Sequence, residues 1–193
     1  MKKSWIIVLA VVAVVVLWGV RGYNGLVTAD EGVKTAWSQV ENQYQRRSDL
    51  IPNLVNTVKG YAAHESETLE SVVAARAKAT QVTLDAENMT PEAMSAYMSA
   101  QNEVSNALGR LMMIREAYPD LKANQNFIEL QAQLEGTENR IAVERNRFNE
   151  SARAYNTKIR KFPLSIVASI GGFEAKPYFE ANEGAQNAPV VEF

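Results

Sequence analysis

The chain opens on an unbroken apolar run. Trp5 to Val20 holds no charged residue and no Asn or Gln; Lys2-Lys3-Ser4 precedes it and Arg21 closes it. As a helix, Ser4 to Val20 would reach roughly 26 Å, against about 30 Å for a bilayer core. The pattern predicts a slightly short membrane anchor formed by Trp5, Ile6, Ile7, Val8, Leu9, Val12, Val16, Leu17 and Trp18. Trp5 and Trp18 stand near its ends, where indoles favour the headgroup level, and Lys2, Lys3 and Arg21 can snorkel outward. A cleaved secretory signal is the competing reading. Trp18-Gly19-Val20-Arg21-Gly22 lacks the small-residue cleavage pattern, so retention is expected.

Beyond Arg21 the apolar positions recur at helical spacing. Leu26, Val33, Trp37, Val40 and Tyr44 predict a first helix, with Gly22, Gly25 and Gly32 a candidate hinge at its join to the anchor. Ser48-Asp49-Leu50-Ile51 before Pro52 reads as a turn, with the proline in the first turn of a second helix. Leu54, Val58, Tyr61, Leu69, Val72 and Arg76 carry that second stripe, which fades near Val82. Thr90 as N-cap and Pro91 at the first helical position open a third helix, broken at Tyr118-Pro119. A last long helix shows Phe127, Leu130, Leu134, Ile141, Phe148, Tyr155 and Phe162, with seven-residue steps from 141 to 162 that predict a bundle or coiled-coil seam. The expected fold is all-α: an N-terminal transmembrane helix (1–22), a long antiparallel, up-down four-helix bundle (23–162) and an irregular C-terminal tail (163–193). Within the tail, Leu164 to Ile170 predicts a short apolar helix stopped by Gly171-Gly172. Phe173, Tyr178, Phe179 and Phe193 would dock it on its own bundle or on a neighbouring subunit.

Charge narrows the partners. All 22 acidic residues lie beyond residue 21, against 17 basic ones there, a net charge of −5 for the body. That opposes nucleic-acid binding and gives no polybasic patch for anionic lipid, so membrane contact is expected through the anchor alone. Lys2, Lys3 and the amino terminus outweigh Arg21 and Lys34 across the span, a balance that favours a cytoplasmic N-terminus.

Candidate chemistry fails position by position. His64-Glu65 lacks the second zinc-binding His, since Thr68 stands four residues on and no other His exists. A di-iron bundle needs two Glu-x-x-His motifs. Glu65, Glu67, Glu70, Glu135, Glu138 and Glu144 therefore read as solvated faces and helix pairs. Without cysteine there is no thiol catalysis, and no phosphate loop or nucleophile elbow appears. The Asn-x-Ser/Thr matches at Asn88 and Asn149 are short patterns expected by chance. No catalytic, cofactor or metal site is expected. Arg46-Arg47-Ser48-Asp49 reads as a charged clasp over the expected turn, the arginines at one helix's negative end and Asp49 at the next one's positive end. The alternative is a ligand or partner site, because paired arginines fork carboxylates and phosphates.

Arg46-Arg47-Ser48-Asp49-Leu50-Ile51-Pro52-Asn53-Leu54-Val55 and Val58-Lys59-Gly60-Tyr61-Ala62-Ala63-His64-Glu65 resemble the bacterial LemA family. So do Tyr155-Asn156, Phe162-Pro163, Phe173, Tyr178-Phe179 and Pro189-Val190 with Phe193. The resemblance covers nearly the whole chain. It marks Arg46, Arg47, Asp49, Pro52, Asn53, Lys59, Tyr61 and Glu65 as motif residues, at a hairpin or an interface. It implies a bacterial membrane protein with one N-terminal span, a helical bundle and no enzymatic activity. A magnetosome-membrane relative implies, by analogy, work in shaping membranes. The family's topology would place the N-terminus outside, opposite to the charge balance. The functional expectation is a single-pass protein of the bacterial inner membrane, self-assembling into a scaffold on the bilayer. The alternative is a tethered adaptor that presents its bundle to another envelope protein, such as a membrane protease.

Overall fold

In the computed structural model, residues 2–87 and 89–180 are described, with side chains from Trp5 onward. Among them there are helices and no strand. Helix α1 runs from Lys2 to Lys59, 58 residues, or about 87 Å at helical rise. It carries two sequence programmes end to end. Trp5 to Val20 is apolar on every side and faces outward throughout, apart from half-buried Gly19. From Leu26 onward one stripe is buried: Leu26, Val33, Trp37, Val40, Tyr44, Ile51, Leu54 and Val58. The helix is unbroken through Gly22, Gly25 and Gly32, so the expected hinge is absent from the fold.

The expected turn before Pro52 is also overturned. Pro52 lies inside α1. Proline lacks the N–H that would serve the carbonyl four residues back, here Ser48, and so normally breaks a helix. Arg76 supplies the missing donor: its Nε donates to the Ser48 carbonyl at 2.9 Å. The chain reverses instead over Gly60–Glu65, where Gly60 N–H reaches the Asn56 and Thr57 carbonyls and Ala62 N–H the Val58 carbonyl. Helix α2, expected from Pro52, spans Ser66–Gln81.

Helix α3, Pro91–Ile114, starts where the sequence predicts, with Thr90 Oγ1 accepting from Ala93 N–H at 3.2 Å. A 3-10 turn at Arg115–Ala117 and the four-residue α4, Pro119–Lys122, follow. Asn124 then caps α5, Gln125–Arg160, by accepting from Phe127 N–H. Helix α5 lies along α1 in a constant register. Trp37 meets Phe148 and Arg47 meets Glu138, ten residues apart on each helix, and just past the helix ends Asn124 meets Tyr61. Phe127, Leu134, Ile141, Phe148 and Tyr155 are buried at seven-residue steps. Phe162, expected to continue the seam, is 82% exposed. The chain leaves α5 after Arg160, so the seam extends back to Phe127 rather than on to Phe162.

Helix α6, Leu164–Gly171, folds back against α1 and α5. Gly172, at φ 72°, closes it in the left-handed conformation that glycine adopts freely. The close approach falls at Gly22 of α1, where a Cβ would lie 2.8 Å from Leu164 Cδ1. The core is in two pieces. One gathers Leu26, Trp37, Tyr44, Tyr97, Phe148 and Phe179 near the span. The other gathers Ile51, Leu54, Val72, Val104, Phe127 and Leu134 towards the far end.

Candidate functional site

Three features of the fold are built from the residues singled out in the sequence. The first is the outer face of α1's N-terminal third. Trp5, Ile6, Ile7, Val8, Leu9, Val12, Val16, Leu17 and Trp18 are all exposed, between 41% and 71%. This is the one helix among the described residues long and apolar enough, by length and composition, to cross a membrane.

The second is a polar layer between the two core pieces, centred on Arg47. Its side chain is 2% exposed. Nη1 donates to Glu138 Oε1 and Ser105 Oγ, both at 2.7 Å. Nη2 donates to Gln101 Oε1 at 2.6 Å and to the Gln101 carbonyl at 3.1 Å. The guanidinium also lies over the Tyr44 ring, 5.1 Å from its centroid. One side chain of α1 thereby ties α3 to α5. Burying a charge is costly unless it is paired and its donors are used, and here four contacts from a planar fork meet that need. Arg145 extends the layer: its Nε donates to the Tyr44 hydroxyl at 2.7 Å. Burial pushes the Tyr44 and Tyr97 hydroxyls above the usual tyrosine range, and burial likewise raises the Glu41 carboxyl.

Arg47 is therefore no clasp at a helix end, because α1 does not end there. Arg46, its neighbour, is exposed. Asp49 is exposed too and accepts from Gln45 Nε2 one turn back rather than capping α2. Pro52, Asn53 and Lys59 are exposed on α1. Tyr61 and Glu65 form a separate tie at the far tip, where Asn124 Nδ2 donates to the Tyr61 hydroxyl and the Tyr118 hydroxyl donates to Glu65 Oε1. Glu65 and Glu138, read from sequence as solvated carboxylates, thus each hold a partner from a distant part of the chain. His64 is exposed in the turn, and no His, Asp and Glu cluster suited to a metal occurs among the described residues.

The third feature is the segment from Phe173 to Glu180, which lies extended along α5. Two asparagines seven residues apart hold it. Asn156 Nδ2 donates to the Lys176 carbonyl while Lys176 N–H donates to Asn156 Oδ1. Asn149 makes the same two-way pair with the Phe179 backbone. Seven helical residues rise about 10.5 Å and three extended residues span about 10 Å, so the two spacings match. Phe179 stacks on Trp37, meets Phe148 edge-on and lies under the Arg145 guanidinium. Lys176, 9% exposed, pairs with Asp30 at 3.2 Å and donates to the Ala86 carbonyl. Phe173 packs edge-on against Tyr23. Tyr178 is 42% exposed and its hydroxyl accepts from Asn156. Phe193 lies outside the described residues.

Gln101, Ser105 and Arg145 escaped the sequence reading, which met Asn149 only as a chance Asn-x-Ser match and Asn156 only as part of the family resemblance. Spacing offered a usable signal only for the asparagines, which sit one seam step apart on α5. An open groove of about 1030 Å³ lies between α3 and α5, with Met94, Met98 and Ile141 among Arg47, Glu103, Glu138 and Arg145.

The Arg47 and Asn156 arrangements both fall in the stretch that known proteins share. The sequence profile of the LemA family matches residues 36–193. Magnetosome protein MamQ of Magnetospirillum gryphiswaldense is 32% identical over 187 residues, covering 88% of this chain and 68% of the relative. Magnetosome protein MamQ 2 of Paramagnetospirillum magneticum is 29% identical, covering 95% and 73%. Protein LemA of Metamycoplasma hominis is 24% identical, covering 83% and 69%. With the profile covering residues 36–193, most of the chain, this protein belongs to the LemA family.

Proposed function

We propose that this protein is a membrane-anchored, non-enzymatic helical scaffold that assembles with copies of itself and organises or shapes the bacterial cell membrane. The observation that carries the reading is the continuity of α1: one helix is both the apolar candidate span and the spine of the body. A span joined rigidly to its body passes the body's contacts on to the bilayer, whereas a flexible linker would uncouple them. The body is an up-down, antiparallel bundle of α1, α2, α3 and α5 in this reading, with the bilayer and further copies as its partners. Names of magnetosome proteins among the relatives fit a membrane setting. A slightly short span favours self-association, which relieves hydrophobic mismatch. Cryo-microscopy of the full chain in lipid, and of detergent-extracted protein, should show closed or extended assemblies. A monodisperse monomer in both would refute the scaffold.

The groove between α3 and α5 favours a second reading, an adaptor that seats another envelope protein. Crosslinking in native membranes from positions on Met98 and Asn106 would then capture one stable hetero-partner. Recovery of self-contacts alone would count against it. Protease accessibility in intact cells and spheroplasts fixes which side of the inner membrane holds the body.

A further inference from the structure

The turn from α5 into α6 leaves an apolar stripe facing outward. Ile166 and Ile170, one turn apart on α6, are 51% and 83% exposed, and Phe162, in the turn before the helix, is 82% exposed. The opposite face of α6 is spent on packing: Ala168 is buried and Leu164 and Val167 lie against the inner core piece. The stripe does not sit at an arbitrary height. Leu164 and Val167 approach Gly22, and Gly171 and Phe173 approach Tyr23, the two residues that follow Arg21 at the end of the apolar run. The outward face of α6 is thus continuous with the outward face of the candidate span.

Charge at this end has the opposite sign to the body's total. Residues 1–29 and 151–173 hold no Asp or Glu; of the acids next to these stretches, Asp30 is paired with Lys34 and Lys176, and Glu174 is exposed. Arg21 on α1, and Lys158, Arg160 and Lys161 at the end of α5, are all exposed. Counting charge along the whole chain hides this, because the fold draws the basic residues from two stretches well over a hundred positions apart. The expectation of no basic patch rests on that total and not on the charge at this end. An apolar stripe flanked by Lys and Arg is the composition of an element lying in the headgroup and upper acyl region.

We infer that α6 is a second, shallow membrane contact: Phe162, Ile166 and Ile170 enter the leaflet beside α1, with Arg21, Arg160 and Lys161 at the level of its phosphates. The inference rests on the reading of Trp5 to Val20 as a span. Together the two contacts fix the rotation of the body about α1, which a single span would leave free.

The chain has no cysteine, so single labels are unambiguous. The full chain is prepared as Ile170→Cys, Val12→Cys and Lys122→Cys, each carrying a polarity-sensitive fluorophore. Each is reconstituted into phosphatidylcholine–phosphatidylglycerol vesicles containing lipid spin-labelled near the glycerol or near the chain end. The label at 170 should be blue-shifted and quenched several-fold more by the shallow spin label than by the deep one. The label at 122, on the far tip, should be quenched by neither. A water-like, unquenched signal at 170 beside a quenched signal at 12 overturns the inference and leaves the span standing. Water-like signals at both 12 and 170 overturn the span and the inference with it. A blue-shifted signal at 170 that neither lipid quenches, and that grows with protein density, assigns the stripe to a second copy and overturns the lipid contact.

Discussion

At the residue scale, two arginines allow the fold to ignore a local stop signal and to bury a charge. Arg76 is the donor that Pro52 cannot be for the Ser48 carbonyl. The contact is part-buried, so Arg76→Ala should cost about 1 kcal/mol, the net worth of one hydrogen bond. Pro52→Ala restores the helical N–H, and Arg76→Ala should then become nearly neutral. A double-mutant cycle by urea denaturation reads this coupling directly, and additive losses would refute the pairing. Arg47→Lys keeps the charge and loses the fork, leaving some of Gln101, Ser105 and Glu138 unserved. A loss of about 1–3 kcal/mol is expected. Because Glu138 is 41% exposed and the Ser105 contact is part-buried, most of that loss belongs to the buried Gln101 contacts. A change within the noise would mean that the layer tolerates a point charge.

At the element scale, helix ends written in local code were legible and those set by distant contacts were not. Thr90-Pro91, Tyr118-Pro119 and Gly171-Gly172 each carry their own capping or breaking chemistry, and the elements begin or end there. Ser48 to Pro52 carries the same kind of signal, yet α1 passes through it, because the deciding donor sits on another helix 28 residues away. Phe162 misled for the converse reason. Its spacing fits the seam, but the helix beneath it has already ended. The aromatic content of residues 173–180 announced an ordered segment, whereas the asparagines that hold it carry no apolar signal. Phe179→Ala removes a ring packed between Trp37 and Phe148. The expected effect is a loss of up to about 3–5 kcal/mol, expressed as release of the 173–180 strap. Limited proteolysis should cut that strap faster while α5 stays protected; equal cleavage rates would contradict its role.

At the scale of the whole molecule, the inner core piece is rich in buried tyrosine, and that sets an alkaline limit. Burial, then the Asp30 charge, pushes Tyr155 up to about 12, and burial raises Tyr44 and Tyr97 as well. Below the ordinary tyrosine pKa of about 10 the hydroxyls are neutral in folded and unfolded chains alike. Above it the unfolded chain loses protons that the folded one keeps, so stability falls as pH rises from about 10 towards 12. Thermal unfolding across that window should show a falling midpoint, shallower in Tyr155→Phe. A flat profile would place these hydroxyls in contact with water.

The unbroken course of α1 has a mechanical consequence. From Arg21 to Lys59 it forms a stalk about 58 Å long with no joint at its base. With Trp5 to Val20 read as a span, any tilt it takes is passed undiminished to the far tip: a typical tilt of about 20° would swing that tip sideways by roughly 20 Å. Tyr61, Glu65, Tyr118 and Asn124 are tied there. In the other direction, a force applied at the tip would act on the apolar segment through a long arm.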